Sequence, residues 1–352
     1  MIYKSFVRPA FFRLDPEMAH ELASDFMGIL ENNPLAKLLL GKFLIVDNAP
    51  VEALGLKFPN VVGLAAGFDK DGRFPAICRS IGFGHMEVGT VTPRGQAGNP
   101  KPRLFRIPKE EALINSMGFN NDGAYALCQR IRNSYPKGKN RTSPLGINIG
   151  KNKDTPLELA FEDYVSSFNI VAEQADYVTV NISSPNTPDL RKLQDNVFLD
   201  ELLSEIGNAR NAFAKRNKLS PIPIMLKISP DEKFKSIERI VSCALNHGFN
   251  GVVAANTTLR KKASGLASDY PKGGLSGKPL IHKTLKLVRF ISLLTDKSVP
   301  IIGVGGVTNV ESASRILDAG ATLIQIYTSF IYQGPFFPSR LAKHLIHKKE
   351  WF

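Results

Sequence analysis

The chain has 352 residues, of which 43% are hydrophobic, and its formal net charge is +13. This size and composition allow one large α/β domain with an appendage, or two domains. The basic charge favours nucleic acid, an anionic membrane surface or a small anionic ligand, and does not distinguish among them. The sequence has no secretory signal pattern and no uncharged apolar run of about 18 residues, so we predict no membrane-spanning helix.

The first 45 residues are predicted to form an N-terminal helical extension. Apolar residues recur at helical spacing between Met18 and Ile29, and Pro34 precedes the apolar run LAKLLLGKFLIV. A short helix that is apolar on nearly every side needs a partner or a lipid interface. The residues allow two interpretations, namely helices packed on the main domain, or a hydrophobic tunnel and membrane-docking hood.

From residue 60 onward, a short β-rich run followed by a helical segment repeats eight times. The runs are VVGLAA (61–66), HMEVGTV (85–91), LGINIG (145–150), YVTVNIS (177–183), PIMLKIS (223–229), GVVAANT (251–257), PIIGVGG (300–306) and LIQIYTS (323–329). Such alternation implies parallel strands joined by right-handed crossovers, and eight units predict a (β/α)8 TIM barrel over 46–352. An open doubly wound sheet is the alternative, but AAGFDKDG after the first run lacks its G-x-G-x-x-G turn.

The connection after the second strand, residues 92–143, is too long for an ordinary barrel loop. Its segment RLFRIPKEEALINSMGF predicts a hairpin from RLFRI to ALINS, followed by a helix. Long excursions of this kind usually cover a functional site, so we interpret the insertion as a lid.

Three cysteines, Cys78, Cys128 and Cys243, lie far apart in segments with helical patterns. Their spacing matches neither a disulfide framework nor a zinc motif. We therefore interpret them as small buried hydrophobic side chains in a reducing compartment, and we predict no metal site.

The carboxyl ends of barrel strands carry the active site in this fold. The glycine-rich GVGG after the seventh strand and YTS at the eighth predict a phosphate site, because backbone N–H groups approach phosphate where no Cβ intervenes. A tight turn that binds no phosphate is the alternative.

Lys227 lies in the otherwise apolar strand sequence IMLKIS. We predict that its charge lies beside a cofactor that becomes anionic; the alternative is a lysine whose side chain extends to the outer surface.

The predicted strand ends are rich in amides and poor in acids and bases. We expect the six histidines (20, 85, 247, 282, 344 and 347) to lie away from the strand ends. This argues against Ser-His-Asp hydrolysis and against a histidine-ligated metal. Asparagine both donates and accepts hydrogen bonds, which suits a planar pyrimidine-like ligand, and a cofactor is indicated for the difficult chemical step.

Long segments of the chain resemble the quinone-dependent, membrane-associated (class 2) dihydroorotate dehydrogenases. They are FVRPAFFRLDPEMAHELA, GLAAGFDKDG, GFGHMEVGTVTPRGQAGNPKPRLFRI, LINSMGFNNDG, LGINIGKNKDT, NISSPNTPDLRKLQ, GLSGKP, IIGVGG and LIQIYTSFIYQGP. The resemblance implies oxidation of dihydroorotate to orotate through FMN, with a membrane quinone as acceptor, in pyrimidine biosynthesis. It also implies peripheral attachment to the cytoplasmic side of the inner membrane; we expect a monomer and no nucleic-acid partner.

The resemblance also implies roles for individual residues. FMN would contact Ala66, Gly67, Phe68, Asp69, Lys70, Thr90, Asn148, Asn181, Lys227, Ala255, Gly277, Gly306, Tyr327 and Thr328. The substrate would contact Lys70, Asn115, Ser116, Met117, Gly118, Phe119, Asn181, Asn186, Asn256 and Thr257. Ser184 would take the C5 proton with Thr187 as a helper, Lys227 would stabilise the reduced flavin near N1, and Arg106 would lie on the quinone side.

Three positions depart from the pattern expected of this family. Ser116 stands where we expect arginine, Ala255 where we expect threonine, and Thr328 where we expect serine. The first departure alters the charge pattern of the lid and leaves the implied reaction unchanged.

Three alternatives remain open at the level of sequence. A barrel similar to the tRNA dihydrouridine synthases would suit the basic charge, but these enzymes use a cysteine acid near the flavin. The soluble class of dihydroorotate dehydrogenases uses a cysteine base and lacks the N-terminal extension. A non-catalytic barrel that only binds a ligand or a membrane is the third. Ser184 and the absence of a cysteine at any predicted strand end argue against the first two.

Overall fold

The computed structural model describes residues 2–138, 141–187, 190–194, 196–261 and 270–349. Its strands are β1 (Val51–Ala53), β2 (Leu56–Phe58), β3 (Val62–Leu64), β4 (His85–Val91), β5 (Leu104–Ile107), β6 (Ala112–Asn115), β7 (Leu145–Ile149), β8 (Tyr177–Asn181), β9 (Ile224–Ile228), β10 (Gly251–Ala254), β11 (Gly274–Gly277), β12 (Ile301–Val304) and β13 (Leu323–Ile326). Its α-helices are α1 (Arg8–Arg13), α2 (Pro16–Glu31), α3 (Pro34–Leu44), α4 (Pro75–Ser80), α5 (Ala124–Ser134), α6 (Ala160–Val171), α7 (Asn196–Asn217), α8 (Phe234–Asn246), α9 (Ile281–Leu294), α10 (Val310–Asp318), α11 (Thr328–Gln333) and α12 (Phe337–Lys349).

Eight parallel strands close into a barrel in the order β3, β4, β7, β8, β9, β10, β12 and β13. The last strand returns to the first, with Ile324 opposite Val62. Each of the eight predicted runs contains one of these strands, so the predicted TIM barrel is confirmed. The strands are short and apolar because both of their faces are covered, by side chains inside the barrel and by helices outside it.

Helices cover the barrel through residues at the spacing that the sequence predicts. In α6, the side chains of Tyr164, Phe168 and Val171 recur at intervals of about one helical turn and are fully buried. The antiparallel β1–β2 hairpin places Phe58 against His85, the first residue of β4, with ring centroids 5.4 Å apart. The hairpin therefore closes the end of the barrel opposite the carboxyl ends of the strands.

The insertion after β4 contains the predicted hairpin. Strands β5 and β6 pair antiparallel, with Leu104 opposite Asn115, and helix α5 follows. A third strand, β11, pairs with β6 and was not predicted, because GLSG carries no strand pattern. Ile107, Ile114 and Leu275 form part of a small separate core beneath this sheet.

Helix α2 of the N-terminal extension has a partly inverted polarity. Two of its four carboxylates, Glu17 and Glu31, are only 5% and 2% exposed, whereas its apolar residues Met18, Leu22, Phe26 and Ile29 are exposed. The helix attaches to the barrel through polar contacts and through Met27 and Leu30.

The extension as a whole exposes much apolar surface. Thirteen of the twenty exposed large hydrophobic side chains in the described residues lie within residues 2–45. The predicted helices are therefore confirmed, but packing on the main domain alone does not account for them. Among the described helices, none combines the length and apolar character needed to cross a bilayer.

All three cysteines lie in helices, as predicted. Cys78 and Cys128 are buried and Cys243 is half-buried, and all three are free thiols. None lies at the carboxyl end of a barrel strand.

Candidate active site

A cavity opens at the carboxyl ends of the barrel strands, where the sequence analysis placed the site. It is lined by ten of the predicted residues, namely Ala66, Asn115, Lys227, Ala255, Asn256, Thr257, Gly277, Gly306, Tyr327 and Thr328. Gly305 and Ser329, from the GVGG and YTS motifs of the predicted phosphate site, also line it, and so does Ser276, which was not predicted. The fold thus brings together residues from the two ends of the chain and from the lid sheet.

Two glycines form the wall of this cavity that the sequence analysis assigned to a phosphate. Gly277 and Gly306 have φ values of +96° and +80°, in the region that favours glycine. A Cβ would lie 2.3 Å from the Glu111 carbonyl oxygen at the first position and 2.4 Å from the Ile281 Cα at the second. Thr328 begins α11 beside them, with its Oγ1 2.9 Å from Ser276 Oγ. Backbone N–H groups can therefore approach a phosphate closely here.

Lys227 of β9 points into the same cavity rather than to the outer surface. Lys227 is only 6% exposed, and its ammonium makes no hydrogen bond or ion pair within the described part of the chain. Burial lowers the pKa of Lys227, and the charge of Glu87 partly offsets this effect. A buried ammonium that faces a cavity fits an anionic ligand. The glycine wall and Lys227 together fit a cofactor that carries a phosphate and negative charge.

A chain of buried hydrogen bonds fixes the polar side chains at the ends of β4, β7 and β8. Thr90 donates to Asn148 Oδ1 at 2.5 Å and accepts from Asn181 Nδ2 at 3.1 Å. Asn181 Oδ1 accepts from Ser183 Oγ at 3.1 Å, and Asn256 Nδ2 donates to that same Ser183 oxygen at 3.0 Å. Because each group is held by another, the amides are positioned before any ligand arrives.

Ser184 lies next to this chain of bonds and lines a second cavity. It is 5% exposed, and its Oγ accepts a hydrogen bond from the Asn186 backbone N–H at 3.3 Å. The same cavity is lined by Asn99, Pro185, Asn186, Thr187, Arg191, Lys192 and Leu259. Thr187 is buried, and its Oγ1 has no hydrogen-bond partner among the described residues. Residues 188 and 189 of the same motif lie outside the described part of the chain.

The lid hairpin reaches the Ser184 loop through asparagines. Asn186 Nδ2 donates to Asn115 Oδ1 at 3.0 Å. Asn99 Nδ2 donates to the carbonyl oxygens of Ser116 at 2.9 Å and Asn186 at 3.0 Å. Asn99 was not predicted, because it lies in an irregular segment that carries no motif of its own.

The adjacent lid residues form a tight turn. The Met117 carbonyl accepts from the Asn99 N–H at 3.0 Å. Gly118 and Phe119 follow with φ values of +72° and +55°, and both are buried. This turn places the predicted substrate residues 115–119 in one compact segment.

The loop after β3 carries Gly67, Phe68, Asp69 and Lys70. Gly67 N–H donates to the Gly89 carbonyl at 2.6 Å, which ties the loop to β4. The Asp69 carboxylate accepts from backbone N–H groups at the start of α4, and burial raises its pKa to about 6. The Asp69 main-chain carbonyl accepts from the Gly89 N–H at 3.0 Å, so Asp69 is fixed through both its side chain and its main chain. Lys70 is half-buried, and burial lowers its pKa.

A sequence model of the family described as "Dihydroorotate dehydrogenase" matches residues 49–348. The chain belongs to this family. A relative from Idiomarina loihiensis, named dihydroorotate dehydrogenase (quinone), is 45% identical over 339 residues, which are 96% of this chain and 99% of the relative. A relative of the same name from Chloroflexus aurantiacus is 42% identical over 360 residues, covering 99% of this chain and 98% of the relative.

Solved structures of the family have the same fold. DHODH from Eimeria tenella in complex with ferulenol superposes with a TM-score of 0.84 at 33% identity, covering 96% of this chain and 92% of that chain. The ligand-free form from the same organism gives a TM-score of 0.81 at 34% identity, covering 94% and 95% of the two chains.

In this dihydroorotate dehydrogenase family member, aromatic rings connect the barrel mouth to the N-terminal extension. The Phe68 ring centroid lies 5.4 Å from that of Tyr327, at the end of β13, and 5.1 Å from that of His20 in α2. The expectation that all six histidines lie away from the strand ends was therefore wrong for His20. Burial lowers the pKa of His20 to about 3, so its ring is neutral at physiological pH. No sequence signal marks this position, because His20 is one of several polar residues in α2.

Arg106 of β5 lies at the junction of the lid and the extension. Its Nη1 donates to the Leu14 carbonyl at 2.9 Å, and its guanidinium carbon lies 4.8 Å from the centroid of the Phe12 ring. Tyr332 meets the same ring edge to face, with centroids 5.2 Å apart. The arginine thus faces the aromatic interior of the extension, in the region that the sequence analysis assigned to the quinone.

Proposed function

We propose that this enzyme oxidises (S)-dihydroorotate to orotate with FMN as cofactor and a membrane quinone as electron acceptor, in de novo pyrimidine (UMP) biosynthesis. The observation that carries the proposal is Ser184, a buried serine held beside paired asparagines at the barrel mouth. Among the described residues, neither cavity is lined by histidine, cysteine, aspartate or glutamate. Ser184 is the candidate base that the resemblance assigns to the second cavity, which Lys192 also lines, and the names of the relatives support the same reaction.

FMN, when bound, supplies the hydride acceptor of the first half-reaction and the electron donor of the second. Gly277, Gly306 and Thr328 would hold its phosphate, and Lys227 would place positive charge beside its ring. The remaining contacts that we propose are Ala66, Gly67, Phe68, Asp69, Lys70, Thr90, Asn148, Asn181, Ala255 and Tyr327.

The substrate is a ring with alternating N–H and C=O groups, which amides recognise well. Asn115, Asn181, Asn186 and Asn256 would hold those groups, and Lys70 would face the carboxylate. Ser116, Met117, Gly118, Phe119 and Thr257 would complete the pocket. Ser184 would remove the C5 proton, and Thr187, whose hydroxyl has no hydrogen-bond partner within the described part of the chain, would pass the proton on.

Replacement of the proposed base gives the sharpest test of the first half-reaction. In Ser184→Ala we expect flavin content to remain unchanged, and anaerobic flavin reduction by dihydroorotate to slow by roughly 10²–10⁴-fold. The matched control is Ser167→Ala, which removes a buried hydroxyl that lines neither cavity. Near-normal single-turnover reduction in Ser184→Ala would remove this serine from the mechanism.

Our assignment of the second half-reaction, in which a quinone reoxidises the flavin, rests on the exposed apolar side chains of the extension and on Arg106. In Arg106→Ala we expect flavin reduction by dihydroorotate to be unchanged and flavin reoxidation by a soluble quinone analogue to slow. Lys109→Ala, at an exposed position just beyond the same strand, is the control. Equal loss of both half-reactions would mean that Arg106 only maintains the fold.

We propose peripheral attachment to the cytoplasmic side of the inner membrane, as a monomer, with residues 1–45 as the docking unit and 46–352 as the catalytic barrel. Sedimentation with anionic lipid vesicles tests the attachment. The double variant Phe26→Asn/Leu38→Asn should remain in the supernatant, whereas Leu219→Asn/Leu293→Asn, at exposed positions outside the extension, should sediment like the wild type. Light scattering in detergent tests the monomer.

A further inference from the structure

Three metal-ligating side chains converge on the outside of the barrel, between helices α7 and α8. Cys243 and His247 are four residues apart, at and just beyond the end of α8, so they share one face. Asp200 reaches them from α7. His247 Nε2 lies 2.9 Å from Asp200 Oδ1, and Cys243 Sγ lies 3.7 Å from that same oxygen.

Close packing of the two helices brings these groups together. Gly207 in α7 faces the end of α8, and a Cβ at this position would lie 2.9 Å from the His247 carbonyl oxygen. The absence of a side chain at Gly207 therefore lets α7 approach α8 closely. The spacing of cysteines and histidines along the chain could not reveal the cluster, because Asp200 joins it only through this packing.

The ligand atoms of the three residues already lie within 4.8 Å of one another. Zinc binds sulfur at about 2.3 Å and nitrogen or oxygen at about 2.0–2.2 Å, so its tetrahedral ligands stand roughly 3.3–3.7 Å apart. Small side-chain rotations therefore suffice to admit an ion. Asp200 is 72% exposed and His247 24% exposed in their side chains, which leaves an open path and room for a water as fourth ligand.

We propose that Asp200, Cys243 and His247 form a zinc site on the outer face of the barrel. A thiolate, an imidazole and a carboxylate are a donor set that zinc accepts, and one solvent-exposed position is compatible with three protein ligands. A bound ion would join α7 to α8 and would thus stabilise the outer helical layer, through residues that line neither of the two cavities at the barrel mouth.

Titration calorimetry of Zn²⁺ into tag-free, chelator-treated holoenzyme tests the site. We expect one ion per chain and a higher melting temperature with Zn²⁺ present, because a ligand that binds only the folded state stabilises it. Asp200→Asn, Cys243→Ser and His247→Asn should each weaken Zn²⁺ binding by at least roughly 10–100-fold, because replacing a residue that only hydrogen-bonds to a metal ligand already lowers metal affinity by this factor. Cys128→Ser removes a thiol elsewhere and should bind Zn²⁺ as the wild type does.

The alternative is a hydrogen-bonded helix pair that binds no metal. In that case the wild type would take up Zn²⁺ no more tightly than the Cys243→Ser/His247→Asn double variant, and zinc would not shift its melting temperature relative to Asp200→Asn. Either result would overturn the proposal. Asp200→Asn is the most informative single variant, because the exposed position tolerates an isosteric change without loss of folding.

Discussion

Asn148 donates a 2.8 Å hydrogen bond to Glu87, a fully buried carboxylate inside the barrel. Gln325 donates to the other oxygen of Glu87 at 3.0 Å, and Tyr177 donates to it at 3.4 Å. Asn148 in turn accepts from Thr90, so the carboxylate anchors the chain of bonds that positions the amides at the barrel mouth. Glu87 is also the acidic group whose charge acts on Lys227.

Glu87→Gln should change the charge beside the proposed cofactor site while keeping the fold. The introduced amide can donate to Gln325 Oε1, which has no partner among the described residues, once the Gln325 amide turns over so that its oxygen rather than its Nε2 faces position 87. With this negative charge gone, Lys227 becomes a stronger electrostatic partner for an anionic flavin. We therefore expect sulfite, which forms an anionic adduct with oxidised flavin, to bind several-fold more tightly, as measured by absorbance titration.

The control for that experiment is Tyr177→Phe. It removes the longest hydrogen bond to Glu87 without altering any charge. Equal sulfite affinities in Glu87→Gln and the wild type would show that Glu87 positions side chains but does not influence the cofactor electrostatically.

The buried ion pair that attaches the extension provides a stability prediction. Arg103 Nη2 donates to Glu17 Oε1 at 2.7 Å, and both side chains are buried. Removal of one partner leaves an uncompensated buried charge, so Glu17→Ala should lower the free energy of unfolding by roughly 3–5 kcal/mol in urea titrations. Asp25 lies in the same helix as Glu17 and makes an exposed ion pair with Arg73 of the loop before α4, so Asp25→Ala should cost less than about 1 kcal/mol. Similar losses in the two variants would contradict this account.

His85 makes the stability of the barrel depend on pH. Both of its ring nitrogens lack partners among the described residues, and burial lowers its pKa to about 3. Its folded-state pKa lies below the unfolded value, so the neutral ring's contribution is fully present above pH ~6.5 and is lost as pH falls toward 3. In His85→Leu we expect the free energy of unfolding to depend on pH less steeply, by about 1.4 kcal/mol per pH unit between roughly pH 4 and 6.

Asp69 has the opposite effect on stability, because its pKa is raised to about 6 by burial. Its contribution falls as pH rises through that range, in the wild type and the variant alike. The difference between wild type and His85→Leu therefore isolates the histidine. Parallel pH profiles for the two proteins would show that His85 is already neutral in the unfolded chain or charged in the folded one.

Gly306 allows a test of the phosphate cradle. Gly306→Ala combines a left-handed backbone with a Cβ placed 2.4 Å from Ile281. We expect a lower ratio of flavin to protein after purification, because the α9 backbone must move. Gly55→Ala is the control, since Gly55 has a similar φ of +69° but no atom within 4 Å of the added Cβ. Its cost should be limited to the backbone strain of about 1–2 kcal/mol, with full flavin content.

The sequence patterns predicted the barrel and the lid hairpin well because both depend on local periodicity. Each barrel strand is a short apolar run bounded by turn residues, and the hairpin strands have a clear turn between them. β11 was missed because Gly274–Gly277 becomes a strand only through pairing with β6. Its conformation is set by a partner far away in the chain.

Contacts between distant segments explain the other residues that the sequence did not predict. His20 contacts Phe68 only because α2 packs over the loop after β3. Glu87 reads as an ordinary alternating position of β4, and its partners come from β7, β8 and β13. The strand ends themselves were predictable, because the fold class alone fixes where they meet.

The partly inverted polarity of α2 reverses the usual pattern of mutational tolerance. On an ordinary surface helix, substitutions of the polar residues that face solvent are tolerated, whereas substitutions of the apolar residues that face the core are not. Here, polar replacements of Phe26 or Ile29 should leave the fold intact and even improve solubility, while removing part of the apolar surface that we propose as the lipid contact. Replacement of Glu17 or Glu31 by an apolar residue, which would look harmless by hydropathy, should detach the helix. A selection for soluble expression and a selection for growth without pyrimidines would thus favour opposite sequences in this one helix.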